Sequence, residues 1–191
     1  MISSALNFLL TTLASLLTLL FLLRFFMQLL KASFRNPLGQ MVISLTDFAV
    51  KPVRKLIPSL GKIDLSTLLL AFFTQLFLQI CLLKLRGLPF GIEGHSAWPS
   101  LLGLSLIGVL RTSLDLFFYA LLLQVILSWV NPHTPIAEVL DSLTRPILAP
   151  IQRILPTAGG IDFSPMIALI LIQMINISVV KTLESQLLTI F

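Results

Sequence analysis

Charge is what this sequence has least of. Asp, Glu, Lys and Arg make up 11% of its 191 residues, where a soluble domain carries about 25%. That deficit excludes a water-soluble globule, whose surface needs charge to be solvated. Hydrophobic residues make up 57%. A domain of this size still exposes much of its surface, so one core cannot take them all. Lipid as solvent removes the contradiction. Cysteine is nearly absent too, with Cys81 alone inside an apolar run. That excludes an internal disulfide and leaves no thiol companion for a metal site, so Cys81 reads as a small packing residue. Nor is there a concentrated basic tail. The net charge of +5 is spread over short loops between apolar runs, which suits lipid headgroups and argues against nucleic acid.

Catalytic signatures are missing as well: no H-E-x-x-H, glycine-rich phosphate loop, nucleophile elbow or cysteine cluster. His95 lies beside Gly94 and near Glu93 in one loop, and His133 follows Asn131-Pro132 in another. A lone loop histidine is ordinarily a solvated one. His133 and Asp141 lack an identified nucleophile, so a triad is a weak reading. The expectation is a non-enzyme with no cofactor and no metal. The N-terminus has neither the charged n-region nor the A-x-A-like site of a cleaved signal. Its apolar stretch is long enough to span, which predicts a retained helix.

What is present is a set of apolar runs near the ~20 residues a spanning helix needs. The sequence predicts an all-α membrane protein with about four transmembrane helices. The spans fall at roughly 6–30, 65–83, 111–130 and 163–180. The third run begins at Leu101 and is too long for one straight crossing. Arg111 and Asp115 lie in it at i and i+4, where they can pair on one helix face. The crossing then starts near them, and Leu101–Leu110 lies at the outer interface or extends the helix. The alternative is a functional buried ion pair at membrane depth. Positive loops stay cytoplasmic. Lys31, Arg35, Lys51, Arg54, Lys55 and Lys62 follow span one, and Arg145 and Arg153 follow span three. The other side holds Lys84, Arg86 and Lys181, with Arg111 at its edge. Both termini are therefore expected on the periplasmic or exterior side of a cytoplasmic (inner) membrane.

An internal repeat organises the chain. Pro52, Lys55, Pro58, Gly61, Ile63, Asp64 and Ser66 recur 98 residues later as Pro150, Arg153, Pro156, Gly159, Ile161, Asp162 and Ser164. Gln75 recurs as Gln173, and Asn36-Pro37 as Asn131-Pro132 with a small length difference. The units are residues 1–90 and 91–191. Each crosses twice, so the repeat is parallel and not inverted. Between spans, Leu38, Met41, Val42, Leu45 and Phe48 follow helical spacing, as do Ile136, Val139, Leu140 and Leu143. These predict amphipathic helices lying on the membrane surface, interrupted at Pro52 and Pro146, each followed by a short basic turn. Ser164-Pro165 reads as an N-cap with proline first in the helix, and Ser66 takes that role in unit one. Asp64 and Asp162 can pair with Arg54 or Lys55, and with Arg153. They read as loop clamps, as a cation site at the cytoplasmic mouth, or as solvated charges.

Several polar groups lie at membrane depth: Gln75 and Gln79 on span two, Gln124 on span three, and Gln173 and Asn176 on span four. Such groups seek interhelical hydrogen bonds. An ion pathway needs several of them to converge. Arg24 lies close enough to a span end to snorkel.

The stretch from Gln124 to Pro132, with Ser128-Trp129 before Asn131-Pro132, resembles the YggT family of membrane proteins. So do Leu143–Pro156, including Arg145, Pro146, Pro150 and Arg153, and Gly160–Pro165. The resemblance covers nearly the whole chain as two YggT-type units. The first departs somewhat, with Asp47 standing where the second has Arg145. The family implies membrane residence and, in bacteria, a link to osmotic tolerance and ion homeostasis. Relatives are linked to division or nucleoid organisation, and in plastids to assembly of a cytochrome complex. Two functions follow as expectations. One is a non-enzymatic regulatory or assembly protein whose loops present Arg54, Lys55, Arg145 and Arg153 to anionic membrane lipid or to a protein partner. The other is a subunit of an oligomeric cation transporter or channel. Four spans are few for a pore, so a transporter needs a homo-oligomer.

Overall fold

The computed structural model describes residues 2–59, 61, 63–85, 87, 91–92, 95–96, 98–131, 133–155 and 162–188. Pro132 and Pro156, both singled out above, lie outside the described residues. The elements are α1 (Ile2–Leu29), α2 (Pro37–Leu56), α3 (Leu65–Leu85), a two-residue antiparallel pairing of β1 (Gly91–Ile92) with β2 (His95–Ser96), α4 (Trp98–Val130), α5 (Pro135–Ile154) and α6 (Ser164–Ile175). A π-helical turn at Asn176–Val180 joins α6 to α7 (Lys181–Leu188), so the last span is one interrupted column.

Four helices are long and apolar enough to cross a membrane: α1, α3, α4 and the α6–α7 column. No more than 22% of any of their most apolar stretches is buried inside the protein. The remainder of each helix is apolar and faces outward, as with Phe8 and Phe77. A helix apolar all round satisfies its own backbone and takes lipid as solvent.

α3 lies between α1 and α4, and α4 also packs on the α6–α7 column. α2 lies across α1 and α3. α5 lies across α4 and α6 and reaches α1. By connectivity α2 and α5 share one side of the bundle, opposite the β1–β2 hairpin. Three apolar clusters bind these layers. Phe21, Leu22, Val50, Ala71 and Leu116 join α1, α2, α3 and α4. Met27 and Ala32 meet Val139 and Leu143. Leu121, Leu148, Ala168 and Ile172 hold unit two.

Of the two expectations for Leu101–Leu110, the structure has the helix extension: the segment is part of one 33-residue helix, with Leu101 buried against Leu83 of α3. Other expectations are corrected. α2 and α5 do not break at their prolines. Each runs 20 residues, with Pro52 inside the first and Pro146 and Pro150 inside the second. All three prolines are on the exposed face, where water can satisfy the carbonyl a proline leaves without a donor. The helices stop instead at Ile57 and Leu155, both extended. Each precedes a proline, which disfavours helical backbone in the residue before it. α1 closes with the Ala32 amide on the Met27 carbonyl (2.8 Å) and the Lys31 amide on that of Gln28 (3.3 Å). That double closure puts Lys31 in the left-handed region, φ 58°, a place usually taken by glycine.

Candidate functional site

The amphipathic helices are fixed to the spans by matched sets of side chains. In unit one, Asn36 Oδ1 accepts from the Gly39 amide (2.7 Å) and Asn36 Nδ2 donates to the Ser33 carbonyl (2.6 Å). This starts α2. The chain passes so close here that a Cβ on Gly39 would lie 2.7 Å from Phe34 Cα. From α1, buried Arg24 donates to Thr46 Oγ1 (2.6 Å) and Asp47 Oδ1 (2.8 Å). Lys51 reaches the other Asp47 oxygen at 2.8 Å. The Lys51 ammonium and then the Arg24 guanidinium hold the Asp47 carboxyl below its ordinary value. Arg24 therefore does not snorkel, because α2 covers it and supplies its acceptors. At the far end Arg54 pairs with fully buried Asp64 and also donates to Gln28 Oε1 (3.3 Å). Ser66 donates to the Ile57 carbonyl (2.6 Å) and so ties the loop back instead of capping α3.

Unit two repeats the plan with amides in place of the basic side chains. Thr134, not Asn131, caps α5, its hydroxyl accepting from the Ala137 amide (3.2 Å). The true counterpart of Asn36-Pro37 is thus Thr134-Pro135, at the constant 98-residue offset. Gln124 of α4 accepts from the Thr144 hydroxyl and donates to Asp141 (3.5 Å). Asp162 takes Gln152 Nε2 (2.8 Å), not Arg153, and accepts the Ser164 amide (2.8 Å). Ser164 is not the N-cap; the helix begins on it, with Phe163 preceding. Gln152 stands at the repeat position of Arg54.

With Arg54 committed to Asp64 and Lys51 to Asp47, the exposed basic groups on this side among the described residues are Lys31, Arg35, Lys55, Arg145 and Arg153. None makes an ion pair among the described residues. Lys31 and Arg145 border a crevice of about 430 Å³ between the end of α1 and α5, with Asp141, Ser142 and Pro146.

A second polar region lies between the spans toward the opposite side. A cleft of about 460 Å³ is lined by Thr11 and Ser15 of α1, Gln75 and Gln79 of α3, Arg111, Thr112, Asp115 and Tyr119 of α4, and Glu184 of α7. Arg111 and Asp115 do not bond to each other. Arg111 reaches Glu184 (3.2 Å), and Asp115 accepts from Asn176 Nδ2 (3.0 Å) at the start of the π turn. Such turns recur at functional sites. Gln75 donates to Thr18 (3.2 Å), and its Oε1 occupies the space a Cβ on Gly108 would need. Gln173 is absent from this cleft. It faces outward into an apolar groove of about 450 Å³ with Phe118, Leu169 and Met174. Among the described residues no group of three His, Cys, Asp or Glu side chains is placed to hold a metal.

Glu184 and Asp47 were missed as site residues. Each lies far in sequence from its partner, and only the packing of helices brings them together.

Two like units, each a long span, an amphipathic helix and a second span, also appear in the comparison with known sequences. The family described as CCB3/YggT matches residues 3–85 and again 103–183. The chain belongs to the CCB3/YggT family. It is 39% identical over 186 residues to protein PA0392 of Pseudomonas aeruginosa, covering 96% of this chain and 92% of the relative. It is 39% identical over 184 residues to YggT of Escherichia coli K12, covering 95% and 93%. A Haemophilus influenzae protein is 34% identical over 160 residues, covering 83% and 82%. These CCB3/YggT relatives carry names that assign no activity. No solved structure matches.

Proposed function

We propose that this CCB3/YggT protein is a non-enzymatic regulatory or assembly protein of the cytoplasmic membrane, multi-pass, with both termini on the periplasmic or exterior side. Its working surface is the cytoplasmic layer of α2 and α5. The observation that carries the reading is the pinning of both helices at cap, middle and end, while Lys31, Lys55, Arg145 and Arg153 stay exposed. A fixed basic layer at the headgroup level attracts anionic lipid, at about 1 kcal/mol per basic residue near the surface, or an acidic protein partner. Osmotic stress tolerance, which the family resemblance implies, is the physiological setting in which the role is to be sought.

The test is native mass spectrometry of the protein released from membranes rich in anionic lipid. Lys31, Lys55, Arg145 and Arg153 are replaced together by glutamine, and Arg54 is left to its structural pair. Loss of retained anionic lipid, and of growth after a salt shift, is expected. Unchanged lipid retention and unchanged growth overturn the reading.

A second reading, a subunit of an oligomeric cation transporter, is favoured by the polar cleft around Asp115. Cation flux in reconstituted liposomes that Asp115→Asn abolishes supports it, and the absence of flux from the wild-type chain overturns it.

A further inference from the structure

Two of the contacts through which unit two docks on unit one have repeat counterparts. On the α2/α5 side, Val139 and Leu143 of α5 are buried against the end of α1, at Met27 and Ala32, with Phe26 and Leu30 packed around them. At membrane depth, α4 packs on α3, where buried Gln75 bonds to Thr18 and fits over Gly108.

Each contact has a counterpart surface that no other described residue of the chain covers. The repeat positions of Val139 and Leu143 on α2 are Met41 and Leu45, each 48% exposed. α1 and α4 correspond 100 residues apart, as Arg24 and Gln124 both reach the threonine of the following amphipathic helix. On that register Phe26 and Leu30 become Ile126 and Val130, which are 48% and 77% exposed. Gln75 becomes Gln173, which is exposed, lines the outward groove of α6, and whose carboxamide makes no hydrogen bond among the described residues. A carboxamide turned toward hydrocarbon lacks the partner that polar groups in lipid seek.

These free faces are complementary in one specific way. Among the described residues nothing packs on unit one at Met41 and Leu45, or on unit two at Ile126, Val130 and Gln173. We propose that a second copy of this chain seats its α1 and α2 on α6 and the end of α4, repeating between chains the contact the two units make within one. Repeating units bury their faces on their neighbours, and a head-to-tail contact of this kind closes into a ring when its rotation permits. The proposal is independent of what the basic layer binds.

The experiment uses the full chain in native membranes with Cys81 replaced by alanine. One tagged copy carries Leu45→Cys and a differently tagged copy carries Val130→Cys. The equivalent intrachain pair, Leu30→Cys with Leu143→Cys, reports whether the geometry forms a disulfide. Oxidation is expected to bridge the two differently tagged chains only when both are present. A Leu45→Cys copy that bridges to itself or to another protein, or no bridge where the intrachain pair closes, overturns the proposal. In a second arm, Leu45→Glu is expected to reduce the native mass in lipid from a multiple to a single chain with unchanged circular dichroism. A wild-type chain already single in lipid overturns it as well.

Discussion

The two units solve one problem with different chemistry. Each must hold an amphipathic helix against a pair of spans. Unit one does it with charge: Arg24 on Asp47, and Arg54 on buried Asp64. Unit two does it with amides: Gln124 on Thr144, and Gln152 on an exposed Asp162. An amide donor in place of a basic one therefore suffices to place the helix. The charged clamps make unit one brittle, because removing one partner strands the other without water, whereas a lost neutral bond costs little.

The sharpest way to break the comparison is at the far clamp. Arg54→Ala strands Asp64 and is expected to cost about 3–5 kcal/mol. Gln152→Ala is expected to cost about 1 kcal/mol. Thermal unfolding of the purified protein in detergent reads both, and equal losses would erase the distinction. The pair Arg54→Gln with Asp64→Asn is expected to recover most of the stability.

Next comes the entry of each amphipathic helix. Gly39 in unit one corresponds to Ala137 in unit two. Gly39→Ala forces a methyl against the Phe34 backbone, and overpacking of this kind costs about 1–3 kcal/mol. Ala137→Gly is expected to cost about 0.5–1 kcal/mol through chain entropy. The same melts measure both.

Acid should loosen both units, because bonds from Ser164 and then Gln152 hold the Asp162 carboxyl below its ordinary value as well. The folded Asp47 carboxyl lies below its ordinary value of 3.8, held there by Lys51 and then Arg24. Its contribution is present above that ordinary value and is lost as pH falls through the lowered folded one. The midpoint of unfolding should thus decline below about pH 4. Asp47→Asn should remove one part of that decline and Asp162→Asn another, while Gln124→Leu should leave its shape unchanged.

The smallest effect is expected at the end of α1. Lys31→Gly relieves a left-handed lysine worth about 1–2 kcal/mol, partly offset by the entropy of glycine in the unfolded chain. A net gain under about 1 kcal/mol should follow. A loss would show that the lysine side chain itself holds the crevice beside Arg145 together.

The spans and the repeat were legible because hydropathy and proline spacing are local and survive in each unit. Helix partners were not. Arg111 and Asp115 sit at the spacing that pairs them on an isolated helix, yet each bonds to the last span, which arrives more than 60 residues later in the chain. Asn131-Pro132 looked like the counterpart of Asn36-Pro37, but the cap fell to Thr134, because the helix register follows the constant offset and not the dipeptide. Pro52 and Pro146 signalled breaks that the exposed face absorbed. In each case the deciding neighbour was either a distant helix or the solvent, and neither is written in local spacing.

The length of α4 has a mechanical consequence. Its 33 residues extend about 50 Å, against roughly 30 Å of hydrocarbon. The stretch from Arg111 to Val130 already fills that thickness. Leu102, Leu106 and Leu110 point outward beyond it, while neighbouring α3 is 21 residues long. Membrane around α4 must swell or the helix must lean, and each ångström of mismatch carries a modest cost. α4 and α3, side by side, thus place unequal demands on the lipid around them, met by tilt of the longer helix or by local thickening.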